Sequence, residues 1–110
     1  CMVQVNLEAF SEEFFLNYLN YLINQLYKTL CLKEENSLTL TSYIESLQRE
    51  IVGSKEMILF LKNDARIMSV LSRLQYLSSN KVNQKIFKKE IFYCIKSIQD
   101  IKEKYRRLEE

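Results

Sequence analysis

Few residues in this chain are of the kinds that carry out covalent chemistry. There is no histidine among its 110 residues, so no imidazole is available as a base near neutral pH or as a metal ligand. Glu12 with Glu13 and Glu34 with Glu35 are adjacent pairs of carboxylates. Neighbours on a helix diverge by about 100° and do not converge on a substrate. The three cysteines, Cys1, Cys31 and Cys94, have no CxxC spacing and no base partner in a nucleophile motif. Neither a glycine-rich phosphate loop nor a GxSxG elbow occurs. The expectation is a non-enzymatic chain with no cofactor and no metal.

Aromatic and basic side chains are what the sequence offers in their place. Helix-forming positions 14–32 read FFLNYLNYLINQLYKTLCL, with apolar residues around most of the circumference. A surface helix normally carries one apolar stripe. Phe14, Tyr18, Tyr21 and Tyr27 flank the stripe of Phe15, Leu19, Leu22, Leu26 and Leu30. Rings left at such a boundary are typical anchors of protein interfaces, so these four are candidate interface aromatics. Glu13, Asn17, Asn20, Asn24 and Lys28 form the one polar line.

The elements that must position these groups are helical. The chain has no proline and one glycine, with 47% hydrophobic and 27% charged residues. Loss of both helix breakers predicts long helices, and this length predicts one domain with one core. The expected architecture is all-α, an antiparallel bundle of four main helices plus one short helix, with residues 1–110 forming a single helical domain excised from a longer protein. Asn17, Asn20, Asn24, Gln25 and Lys28 interrupt the longest apolar stretch, so no membrane span is expected.

Boundary signals divide the chain. Ser11 is placed to cap helix 1, with Phe10 stapled on Phe15, and the helix runs to about Leu32. Lys33 to Ser37 reads as a loop. Helix 2 starts at Thr39 or Thr41, buries Leu40, Ile44, Leu47 and Ile51, and ends at Gly53. Ser54 then caps a short helix carrying Met57, Ile58, Phe60 and Leu61. Asn63 or Asp64 caps the next, whose face is Ile67, Val70, Leu71, Leu74 and Leu77. After a loop at Ser78 to Lys81, helix 5 repeats Phe87, Ile91, Cys94, Ile98, Ile101, Tyr105 and Leu108. That spacing is the core face of a bundle helix or a coiled-coil seam. Cys31 and Cys94 fall on apolar faces, which fits free thiols in a reducing, intracellular compartment.

Charge is unevenly divided. Residues 1–50 hold three basic side chains against seven acids, net −4, and residues 51–110 hold thirteen against seven, net +6. Helix 5 carries much of the excess. A dedicated nucleic-acid binder is usually more basic than this, so the lysines read as a solvated face and nucleic acid is disfavoured as a partner.

The order and lengths of these segments resemble the TFIIS N-terminal-domain family, of the integrase-binding-domain type. The resemblance runs through LINQLYKTL, the acidic loop KEENSLTL, YIESLQREI, the short KEMILFL, ARIMSVLSRLQYL and the SSNKV turn before a long last helix. The chain departs from that pattern at Ile67-Met68, where the family often has Ile-Gly, and in having no tryptophan. The resemblance implies a non-enzymatic adaptor or scaffold in nuclear transcription or chromatin complexes. Such a module catches a disordered peptide motif of another protein between two interhelical loops. By position, the implied partner-binding residues are Glu34, Glu35, Asn36 and Leu38 on one side and Leu77, Asn80 and Val82 on the other. The alternative left open by the residues is a structural subunit of an obligate helical homo- or hetero-oligomer. Its partner helix would pack on helix 1 or on the helix 5 seam.

Overall fold

A computed structural model describes the backbone of residues 2–109 and the side chains of residues 12–56, 58 and 61–106. It consists of α1 (Met2–Glu34), α2 (Leu40–Met57), the one-turn link α3 (Leu59–Lys62), α4 (Ala65–Ser79) and α5 (Gln84–Glu109). Four helices thus make the bundle, and the expected short helix is reduced to a single turn of four residues. No strand is present among the described residues.

Cross-helix pairs give the directions. Phe15 meets Tyr105, Tyr27 meets Phe92 and Lys33 lies over Phe87, so numbers rise on α1 as they fall on α5. Tyr18 with Ser54 and Gln25 with Tyr43 show the same for α1 and α2. Contacts run α1 to α5, α5 to α4, α4 to α2 and α2 back to α1, a closed antiparallel ring 53 Å long and about 22 Å across.

The core is where the apolar periodicity places it. Leu19, Leu22 and Leu26 from α1, Ile44 from α2, Ile67, Val70 and Leu74 from α4, and Ile91, Cys94, Ile98 and Ile101 from α5 have no exposed surface. Burial of each large aliphatic side chain contributes about 1.5–3 kcal/mol. Phe87, Ile91, Cys94, Ile98 and Ile101 are consumed inside their own chain, so this part of the α5 repeat is core face. Glu13, Asn17, Asn20, Asn24 and Lys28 are all exposed, as the polar line requires.

Several boundaries differ from those the local signals predict. α1 already begins at Met2, so Ser11 lies within the helix and is not its cap. Gly53 does not end α2. It is helical, its φ is not positive, and a Cβ there would meet nothing within 4 Å. Ser54 caps nothing: its hydroxyl donates to the Ile51 carbonyl at 3.1 Å and accepts from the Tyr18 phenol at 2.7 Å. The break falls at Ile58, whose extended backbone (φ −104°, ψ 103°) ends the helix. Asp64 does cap α4, accepting from the Arg66 amide at 2.8 Å. Burial pushes its carboxyl up, yet the hydrogen bonds and charge of Arg66 outweigh this and hold it below its ordinary value.

Candidate partner-binding cleft

At one end of the bundle the α1–α2 loop and the α4–α5 loop stand side by side over a cleft of about 490 Å³. Both walls are fixed by local geometry. α1 terminates in a Schellman turn: the Ser37 amide donates to the Leu32 carbonyl at 3.0 Å and the Asn36 amide to the Lys33 carbonyl at 3.1 Å. This requires the left-handed backbone found at Asn36, φ 55°, which asparagine tolerates better than most residues. On the opposite wall, the Asn80 amide group donates to the Tyr76 carbonyl at 3.0 Å, and Asn83 caps α5 by accepting from the Ile86 amide at 2.9 Å.

Lys33 ties the walls together. Its Nζ donates to the Val82 carbonyl at 2.7 Å and stands 5.7 Å from the Phe87 ring centroid. Phe87, 2% exposed, forms the floor with Leu77, 5% exposed. Leu38 is wholly exposed at the rim. Hydroxyls and amides of Ser37, Thr41, Ser79 and Asn80 line the remainder, so the cleft offers an apolar floor under polar walls.

Five of the seven residues expected to bind a partner are brought together here: Asn36, Leu38, Leu77, Asn80 and Val82. Glu34 and Glu35 are exposed and do not line the cleft. Leu77 is a core residue whose truncation would destabilise the bundle, which makes it a support of the cleft and not a free contact. Lys33 and Phe87 were not legible as cleft residues in sequence, because the first depends on a bond across 49 residues and the second belongs to the α5 core repeat.

The four interface aromatics do not share a surface. Tyr18 and Tyr21 face the α2 flank, where they lie 6.1 Å apart. Tyr27 turns to α5 and meets Phe92 edge-on at 6.2 Å. Phe14, Tyr21 and Tyr27 are each about half exposed, and Tyr18 is half-buried by its bond to Ser54. Burial raises the phenol pKa values of Tyr18, Tyr21 and Tyr43, and the Glu50 charge adds to this in each case.

The two described cysteines part company. Cys31 is exposed, contrary to its apolar reading, and Cys94 is buried. Burial pushes the Cys94 thiol up to about 12, with Arg73 opposing and Glu90 adding. At pH 8 only about one such thiol in ten thousand is ionised. Treatment of the folded protein with a thiol-specific reagent should therefore modify Cys31 and leave Cys94 intact until denaturant is added, as read by peptide mass mapping. Equal labelling of both in the native state would show that the core around Cys94 opens readily.

No family model, curated protein or solved structure matches the chain. The described residues include no cluster of His, Cys, Asp and Glu able to hold a metal ion, and no helix long and apolar enough to cross a membrane.

Proposed function

We propose that this chain is a non-enzymatic interaction module that holds a short segment of another protein in the cleft between the α1–α2 and α4–α5 loops. One observation carries the reading: two loops more than forty residues apart in sequence converge on a cleft of about 490 Å³, with an apolar floor, hydrogen-bonding walls and an unshielded leucine at the rim. An apolar side chain of the partner would sit on Leu77, Val82 and Phe87, while its backbone meets Asn36, Ser79 and Asn80. Small-molecule sites of similar volume exist, but a leucine left wholly in water is what a second macromolecule would cover. The segment order supports an adaptor role in intracellular, nuclear transcription or chromatin complexes through the resemblance to the TFIIS N-terminal-domain family.

Selection of peptides displayed on phage against the immobilised chain tests this. Enriched peptides should bind the soluble chain, and Leu38→Asp, which touches no core residue, should weaken them about tenfold or more while the melting temperature is retained. Peptides that bind the Leu38→Asp and Val82→Ser variants as well as they bind the original chain would remove the cleft from consideration.

The exposed Phe14 and Tyr21 of α1 favour a second reading, a subunit that self-associates or joins a partner helix through α1. Light scattering separates the two: a monomer supports the module, and a dimer dispersed by Tyr21→Lys supports the subunit.

A further inference from the structure

We infer that the hollow between α1 and α2, walled by Tyr21, Tyr43 and Glu50, is a second binding site that takes an arginine side chain of another polypeptide. It lies along the flank of the bundle and shares no residue with the loop cleft. Its volume is about 260 Å³, below the roughly 300–1,000 Å³ of small-molecule sites and suited to one side chain. Tyr21 and Gln25 stand one turn apart on α1, and Tyr43, Ser46 and Glu50 follow one another at helical spacing on α2. The Tyr43 phenol donates to the Gln25 side-chain carbonyl and ties the two walls. Leu47, 4% exposed, is the buried apolar part of the lining.

Rings and a carboxylate are present there without a cation between them. Glu50 is exposed and makes no ion pair among the described residues. Its charge adds to burial in raising the phenols of Tyr18, Tyr21 and Tyr43, so the carboxylate stands within reach of all three. It accepts from the Tyr21 phenol and, with about four lone-pair sites, keeps room for a fork of donors. Arg49 donates to Ser46 Oγ at 3.2 Å, and Lys28 Nζ stands 5.6 Å from the Tyr43 ring centroid; neither pairs with Glu50. On another face the molecule shows how such a set is filled. Between α4 and α5 the Arg73 guanidinium carbon lies 3.5 Å from the Tyr93 ring centroid while Nη1 donates to Glu90 at 2.6 Å. A planar guanidinium stacks on a ring and meets a carboxylate with two donors at once, which the compact ammonium of lysine does not. The first fifty residues, net −4, favour the approach of a positive partner.

Nuclear magnetic resonance titration of the isotopically labelled chain tests this with three blocked tripeptides, each with glycine on both sides of a central residue. The central residue is arginine, lysine or citrulline, the last keeping the shape of arginine without its charge. The arginine peptide should give saturable shifts at the amides of Tyr21, Gln25, Tyr43, Ser46 and Glu50. It should bind about fivefold or more tightly than the lysine peptide and about tenfold or more tightly than the citrulline peptide. Glu50→Gln and Tyr21→Leu should each weaken it about fivefold or more. Both side chains are exposed, and thermal melts confirm that the variants remain folded. Equal binding of the citrulline or the lysine peptide, indifference to Glu50→Gln, shifts centred elsewhere, or no saturable shift would overturn the inference. A dimer dispersed by Tyr21→Lys would place a second copy over the hollow and overturn it as well. Leu38→Asp should leave the arginine peptide unaffected, so the hollow and the loop cleft stand or fall separately.

Discussion

Leu26→Asp should leave the chain without a cooperative unfolding transition. Leu26 has no exposed surface and lies in the second half of α1, in the cluster that joins all four helices. Removing its side chain forfeits about 2–5 kcal/mol of burial and packing. Leaving a carboxyl group there without a partner costs a further few kcal/mol even once it takes up a proton, because a neutral polar group buried without a hydrogen bond costs about 2–7 kcal/mol and an ionised one far more. The two together rival the whole stability of a domain this size, about 5–15 kcal/mol. The nearby Asn24→Asp, on the exposed polar line, should change stability by no more than about 0.5 kcal/mol. Urea denaturation followed by far-ultraviolet circular dichroism compares the pair. A normal transition for Leu26→Asp would mean that this face of α1 is not core.

The second large effect joins stability to the cleft. Phe87→Ala should lower stability by about 3–5 kcal/mol, and with about 4–8 °C lost per kcal/mol in a domain of this size the melting temperature should fall by roughly 12 °C or more. The same change removes the floor of the cleft and the ring over which the Lys33 ammonium stands. Peptide binding should therefore disappear even at temperatures where the variant is folded. Leu38→Ala supplies the contrast, because a side chain in full contact with water contributes nothing to the melting temperature. A Phe87→Ala variant that melts normally and still binds would separate the cleft from the core.

The bundle was legible in sequence because burial on helices repeats. Phe15, Leu19, Leu22 and Leu26 on α1, and Phe87, Ile91, Cys94, Ile98 and Ile101 on α5, are buried as their spacing requires. Helix ends were less so. A serine signals a cap, but the roughly 0.5–1 kcal/mol separating good from poor helix formers is too small to stop a helix with a packed face, and α1 runs through Ser11. Gly53 is carried through α2 for the same reason, and the chain breaks five residues later at Ile58. Thr29 escaped notice because its buried hydroxyl is satisfied within its own helix, donating to the Leu26 carbonyl at 2.6 Å. Of the cleft, the loop residues could be placed by resemblance, but Lys33 and the position of Tyr27 on the α5 flank depend on how helices are rotated against each other. No local pattern encodes that rotation.

The bond from Lys33 to the Val82 carbonyl has a dynamic consequence. It fastens a helix end to a loop that the chain reaches only after two further helices, so neither rim can swing outward while the ammonium is engaged. Amide protons on both rims should then exchange more slowly than in a Lys33→Met variant, as hydrogen-exchange mass spectrometry would read. Removing that charge, as acetylation does, would let each rim breathe at its own rate and widen the mouth between them.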